Sequence, residues 1–177
     1  ALRQLGEVQA IGHRVVHGGE AATDPIRITP AVKAIIHDCT SLAPLHNPPN
    51  LGGIEACERA FPNTPNVAVF DTAFHQTMSP ASFLFAIPYD LYEQHGIRKY
   101  GFHGTSHKFV MQASAEYLGI PVSEAKLITC HLGNGCSITA IDGGKVLDTS
   151  MGMTPLTGLV MGTRCGDIDP GVVFHLL

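Results

Sequence analysis

The tightest constraint in this sequence lies in residues 127–148. Three short runs, 127–132, 137–141 and 145–148, are rich in apolar and β-branched residues and are separated by Gly133-Asn134-Gly135 and Asp142-Gly143-Gly144. Glycine turns this short join neighbouring strands into hairpins, so the segment is predicted to fold as an antiparallel meander with glycine tips.

The remainder alternates strand-like and helix-like patterns, which places the chain in the α/β class. Residues 8–16 form an apolar-rich stretch closed by Gly18-Gly19, read as a buried strand entering a turn, and residues 26–28 form a second short strand. Thr29-Pro30 ahead of Val32, Ile35 and Ile36 supplies the cap, the first-turn proline and the spacing of a helix that ends near Thr40. After a break at His46-Asn47-Pro48-Pro49-Asn50, a second helix follows from Leu51, Ile54, Cys57 and Phe61 and stops at Pro62 and Pro65. The compact apolar run 67–70 reads as a buried parallel strand leading into Asp71-Thr72.

Residues 71–101, with Pro80 and Pro88, read as irregular, and a domain boundary is placed there. The expected division is 1–75 and 76–177. Thr105-Ser106 are expected to cap a helix over 108–118 whose apolar face is Val110, Ala113, Tyr117 and Leu118, with Gly119 ending it. Residues 150–171 are rich in Gly, Thr and Met, as in loops that approach a ligand closely.

Composition excludes several function classes. With 45% hydrophobic and 15% charged residues over 177 positions, the chain can bury a core. A net charge of −4 and the lack of any Lys/Arg run argue against nucleic acid as a partner. No apolar run approaches the roughly 20 residues needed to cross a bilayer, and neither a signal peptide nor a membrane partner is expected. Cys39, Cys57, Cys130, Cys136 and Cys165 form no CxxC pair, which fits a reducing cytoplasm. The first residue is Ala, and residues 172–177 read as an apolar segment without a cap or polar tail, so both ends look cut.

Five constellations carry chemistry. In Gly12-His13-Arg14-Val15-Val16-His17-Gly18-Gly19, an arginine sits inside an apolar strand, where alternation puts Arg14 and Val16 on one face. A cation beside an apolar group suits a short-chain carboxylate, and an internal ion pair with an Asp or Glu suits the same arginine equally. Asp71 ends its strand, where α/β sheets gather ligands, although Asp-Thr at a strand end is also ordinary turn chemistry. In Tyr100-Gly101-Phe102-His103-Gly104-Thr105-Ser106-His107, His103 precedes a helix start that attracts anions, while His107 reads as structural.

The fourth constellation, His131-Leu132-Gly133-Asn134-Gly135, offers backbone N–H groups that could cradle phosphate, or is simply a hairpin tip. Neither GxxxxGK[ST] nor GxGxxG occurs. The fifth, residues 162–169, holds Arg164 between small residues that let a guanidinium approach a charged ligand.

Ten histidines raise a metal alternative. His13 and His17, four strand residues apart, are separated by roughly 13 Å and cannot share an ion. The His103/His107 spacing could chelate, but no HExxH accompanies it, and no metal ligand is assigned.

The strings GHRVVHGGE, APLHNPPN, VAVFDTAFHQTM, YGFHGTSHK, HLGNG and DTSMGMTPLTGLVMGTR, spread over residues 12–164, closely resemble the acetate kinase family. Propionate kinases share most of the pattern. The resemblance implies a partial duplicated actin-like ATPase (ribonuclease H-like) fold, shared with sugar kinases. Residues 1–75 would be the C-terminal part of its first domain and 76–177 the N-terminal part of its second. It implies transfer of the ATP γ-phosphoryl group to acetate, with propionate as the alternative acceptor. ATP is the expected co-substrate, and Mg²⁺ ligands are expected mainly outside this chain. The resemblance further implies a homodimer at full length, an interior piece here that is inactive alone, and a non-catalytic anion- or metal-binding fragment as the alternative.

By the same resemblance Arg14 binds the carboxylate, Asp71 is the active-site acid, and His103 and Arg164 stabilise the transition state. His131, Leu132, Gly133, Asn134 and Gly135 match the ATP phosphate loop, and His46 matches a histidine near the transfer centre. Val16, Leu45, Phe102 and Pro155 match the methyl pocket. Two features depart from the family. Its N-terminal Asn- and Ser-rich phosphate motif and its C-terminal adenosine- and magnesium-binding segments are absent, and Cys136 and Cys165 stand where small residues are usual.

Overall fold

The computed structural model describes residues 7–177. The chain divides into two compact units, Ala1–Ala73 and Phe74–Leu177. Residues 1–6 of the expected first domain lie outside the described residues.

The first unit is built on a three-stranded sheet of order β1-β3-β2, with β1 at Ile11–Val15, β2 at Ile26–Arg27 and β3 at Asn66–Phe70. β3 runs parallel to β1, as expected, and antiparallel to β2. Helix α1, Pro30–Asp38, starts where Thr29 accepts the Val32 N–H at its side chain and where Pro30 occupies the first turn. Val15, Ala22, Ile28, Val32, Ile36, Ile54, Ala68 and Phe70 form one core.

Helix α2, Asn47–Ala60, begins earlier than its apolar spacing suggests. The two prolines read as a break stand in its first turn, where their missing N–H groups lose no helix bond.

In the second unit, residues 78–101 are more regular than expected. They hold the short helices α3, Pro80–Phe83, and α4, Tyr89–His95, preceded by a 3₁₀ turn at Ala73–Thr77. Helix α5, Gly104–Leu118, also starts about a turn earlier than predicted, so Thr105 and Ser106 lie inside it rather than at its cap. The expected apolar face is not the buried one. α5 buries Gly104, His107, Met111 and Ala115, while Tyr117 and Leu118 are exposed.

β4 (Lys126–Leu132), β5 (Cys136–Asp142) and β6 (Lys145–Thr149) form the predicted antiparallel meander, with a register shift at Ala140/Ile141. β4 turns Thr129 inward and leaves Ile128 and Leu132 outside. The inner face is therefore partly polar, and its hydroxyls and imidazoles must find partners within the unit.

Residues 172–176 are not an uncapped tail. They belong to helix α6, Pro170–Leu176, whose cap residue Asp169 accepts the Gly171 N–H. Among the described residues no helix is long and apolar enough to cross a membrane.

Candidate active site

In the first unit, β1 and β3 pair in parallel with Arg14 opposite Val69 and Val15 opposite Phe70. The Asp71 N–H donates to the Val15 carbonyl at 2.8 Å, extending the ladder one step past β3. That step places the Asp71 side chain, only 3% exposed, beside Arg14. Arg14 Nη2 donates to Asp71 Oδ2 at 2.8 Å, while 53% of the arginine side chain remains exposed. A buried carboxylate needs such a partner, because its desolvation is otherwise uncompensated. The internal ion pair considered for Arg14 is thus present, and its half-exposed guanidinium still has N–H donors for a second anion.

β1 ends at Val15, so the alternation expected to put Arg14 and Val16 on one face stops one residue short. Val16 is buried in the following bend and donates its N–H to Asn50 Oδ1 at 3.1 Å. Leu45 is 82% exposed, and His46 is exposed at the cap position of α2 without capping it by side chain.

Asn47 and Asn50 went unassigned from the sequence. Asn47 is fully buried and ties the turn after β1 and helix α1 to the start of α2: it donates to His17 O at 2.9 Å and Ile36 O at 2.8 Å, and accepts from His17 N at 3.2 Å. The available signal was the i, i+3 spacing of two asparagines around the proline pair, which puts both on one helix face.

In the second unit, His103 occupies the cap position of α5 with φ +59, the one non-glycine residue with positive φ among those described. A left-handed histidine is strained and persists because its surroundings hold it. Its ring stacks on His131 at 4.0 Å between centroids, and His131 Nδ1 in turn pairs with Ser106 Oγ at 2.9 Å. Phe102 is buried, and its carbonyl pairs with His75 Nε2 at 2.8 Å.

The hairpin tip after β4 closes on itself. Gly133 N–H donates to the Gly135 carbonyl at 3.1 Å, and Cys136 Sγ donates to the Gly133 carbonyl at 3.2 Å. Leu132 and Asn134 are exposed there.

Arg164 is anchored by Nη1 donating to the Pro155 carbonyl at 2.9 Å. Its loop is fastened by Asp167, whose N–H donates to Gly158 O at 2.9 Å and whose carboxylate accepts Gly158 N–H at 2.7 Å. A methyl group placed on Gly135 would lie 3.0 Å from His103 Nε2 and 3.2 Å from Arg164 Nη1. His103, Arg164 and the glycine tip therefore converge on one spot, with His131 stacked behind. Imidazole, guanidinium and bare backbone together suit an anion with several oxygens.

The hydroxyls that hold these rings, Ser106, Thr129 and Ser137, were not singled out from the sequence. For Thr129 and Ser137 the signal is the placement of polar residues at inward positions of β4 and β5, where His131 faces Ser137 in register, whereas Ser106 lies in the first turn of α5.

The metal alternative for His103/His107 fails on geometry. Both ring nitrogens of His107 are engaged, Nδ1 with Thr129 Oγ1 at 2.7 Å and Nε2 with Ser137 Oγ at 2.8 Å. Among the described residues no group of three or more His, Cys, Asp or Glu side chains is placed to hold a metal ion. These residues by themselves do not fit a Mg²⁺ site.

A model of the Acetokinase family matches residues 1–177. The acetate kinase of Methanosarcina thermophila is 61% identical over 176 residues, covering 99% of this chain and 43% of that protein. The acetate kinase of Alkaliphilus metalliredigens is 60% identical over 177 residues, covering 100% of this chain and 45% of that protein. Among solved structures, Porphyromonas gingivalis acetate kinase superposes with a TM-score of 0.93 at 52% identity, covering 98% of this chain and 44% of its own. A propionate kinase from Francisella tularensis superposes with a TM-score of 0.94 at 52% identity, covering 99% of this chain and 45% of its own. The fold is accordingly α/β and of the actin-like ATPase type. The chain spans less than half the length of the relatives it matches, and with a family match along its whole length it belongs to the acetokinase family.

Proposed function

We propose that the protein carrying this segment is an acetate kinase, which transfers the γ-phosphoryl group of ATP reversibly to acetate, giving acetyl phosphate and ADP. The convergence of His103, Arg164 and the Gly135 backbone on one spot carries this reading, because it is an arrangement for a multiply charged oxyanion.

Acetate is already ionised at neutral pH, since carboxylates titrate near pH 4, so its attack on phosphorus needs no general base. The barrier is electrostatic. Two unit charges about 4 Å apart interact by roughly 4 kcal/mol at an effective dielectric near 20, so an incoming carboxylate and a phosphate chain repel strongly. In this reading Arg14 binds the carboxylate and Asp71 holds Arg14 in place. Arg164 and His103 take up charge on the equatorial oxygens during transfer, and residues 131–135 approach the nucleotide phosphates. Val16, Leu45, Phe102 and Pro155 are proposed to contact the acyl tail, and His46 to stand near the transfer centre. Mg²⁺ supplies charge neutralisation at the phosphates when bound, and the steps assigned to this chain's residues do not run through it. The two units read as parts of the two actin-like domains, and the full-length protein as a cytoplasmic homodimer.

A second reading, propionate kinase, is favoured by one observation: the Francisella propionate kinase superposes as well as the acetate kinase does. A coupled assay of the full-length protein with ATP, Mg²⁺ and each acid decides. Acetate is expected to give the higher kcat/KM, and turnover of neither acid defeats the proposal.

A further inference from the structure

His103 is the outer end of a buried chain of imidazoles and hydroxyls. Its Nδ1 lies 2.9 Å from Ser137 Oγ, and the same oxygen lies 2.8 Å from Nε2 of His107, one turn along α5. The other nitrogen of His107, Nδ1, lies 2.7 Å from Thr129 Oγ1. Ser137, His107 and Thr129 are all buried. In such a chain the direction of one hydrogen bond fixes the next, because each neutral ring has one donor and one acceptor and each hydroxyl has a single hydrogen.

Three hydrogen orders fit these distances with neutral rings. In the first, the Thr129 hydroxyl donates to His107 Nδ1, His107 Nε2–H donates to Ser137 Oγ, and the Ser137 hydroxyl donates to His103 Nδ1. In the second every bond is reversed, and the hydrogen of the Thr129 hydroxyl is left over; in the third Ser137 Oγ accepts from both rings, and its own hydrogen is stranded in a fully buried residue whose hydroxyl has, among the described residues, the two rings as its partners. Among the described residues His107 is the one hydrogen-bond partner of the Thr129 hydroxyl, so the reversed order strands a buried donor. The same hydrogen is stranded if His107 carries two protons. The first order leaves His103 with its Nδ1 lone pair occupied and its proton on Nε2.

We propose that Ser137, backed by His107 and Thr129, is a positioning residue that fixes His103 as the Nε2–H tautomer, with that N–H turned toward Gly135 and Arg164. The facing groups agree with a neutral ring. His103 Nε2 and Arg164 Nη1 lie within 3.2 Å of a common point above Gly135, where two cations would repel. The other titratable ring against His103 is His131, stacked at 4.0 Å, whose Nδ1 is taken by Ser106. An uncharged donor there can bind a phosphoryl oxygen without first having to acquire a proton. This purpose rests on the phosphoryl-transfer reading, while the tautomer itself does not.

The test uses the full-length protein labelled with ¹⁵N-histidine, with His103→Gln to assign the His103 signals. The wild-type spectrum is expected to show a bare Nδ1 and a protonated Nε2 for His103. Ser137→Ala is expected to lose that pattern, and Ser137→Thr to restore it. In parallel, Ser137→Ala is expected to lower kcat for acetyl phosphate formation roughly ten- to a hundredfold with KM little changed, by analogy with removing an outer partner that orients a metal-bound imidazole. Ser137→Thr should recover most of that loss. A protonated Nδ1 in the wild type, or an unchanged tautomer in Ser137→Ala, overturns the proposal, as does a loss confined to KM. If Ser137→Ala fails to fold, the wild-type spectrum alone still decides the tautomer. If the wild type turns over no carboxylate, the phosphoryl-transfer reading fails while the spectra still judge the tautomer.

Discussion

Arg14 and Asp71 stand 57 residues apart in sequence, the first on β1 and the second one step past its parallel neighbour β3, and their side chains meet at 2.8 Å. The pair divides its burial unequally, with the carboxylate enclosed and the guanidinium half in solvent. We propose that Asp71 acts by holding Arg14 in place. Arg14→Ala and Asp71→Ala should each lower acetyl phosphate formation by roughly a hundredfold in the full-length protein, the loss usual for a group that binds developing charge. If Asp71 acts through Arg14, the double variant should be little worse than either single one, because partners in direct contact are not additive. Multiplying losses would assign Asp71 a separate role.

Gly135 is kept small by its neighbours rather than by its own backbone. An alanine methyl group would press on His103 at 3.0 Å and on Arg164 at 3.2 Å. Gly135 is not among the glycines with positive φ, so the hairpin itself tolerates a side chain. Gly135→Ala should therefore leave the melting temperature near the wild-type value and lower kcat about tenfold or more, since small displacements of catalytic groups are costly. A fall in melting temperature with unchanged kcat would contradict this.

Gly101 presents the opposite case. Its φ is +72, and an added methyl group would fall 2.6 Å from Thr149 Cγ2 and 2.7 Å from His75 Cδ2. Backbone strain and overpacking act together, so Gly101→Ala should cost about 3 kcal/mol. Thermal or denaturant unfolding measures it, and a cost below about 1 kcal/mol would mean that the ring of His75 can yield.

Much of the fold was legible because its strands are short, apolar and bounded by turns. The meander, the parallel pairing of β3 and the capped start of α1 all follow from local rules that burial reinforces. Two helices misled for the same reason, that residues which read as breakers or as polar were serving as structure. Pro48 and Pro49 open α2 rather than interrupt the chain, and His107 lies on the buried stripe of α5 in place of an apolar residue. With a histidine inside, the helix shows its apolar residues on the wrong side, and periodicity selects Val110, Ala113, Tyr117 and Leu118. The glycine-flanked motifs that hold the candidate site residues stand out locally, whereas Ser137, Thr129 and Asn47 make long-range hydrogen bonds that no local pattern announces.

His17 makes a further prediction about acid stability. It is fully enclosed in the first unit, with its Nδ1 accepting the Gly19 N–H at 3.0 Å, and burial pushes its pKa down from 6.5 to about 4. The unfolded chain therefore binds a proton at a higher pH than the folded one, and stability rises with pH wherever that difference exists. Above about pH 6.5 the neutral ring contributes fully; as pH falls from there toward 4 the contribution is progressively lost, by ~3 kcal/mol in all. His17→Asn keeps an acceptor near the Nδ1 position and removes the titration. Denaturant unfolding between pH 7 and pH 4 should show a shallower loss of stability in the variant, even if smaller packing lowers its stability at every pH. Parallel slopes for the two proteins would show that His17 does not govern this limb.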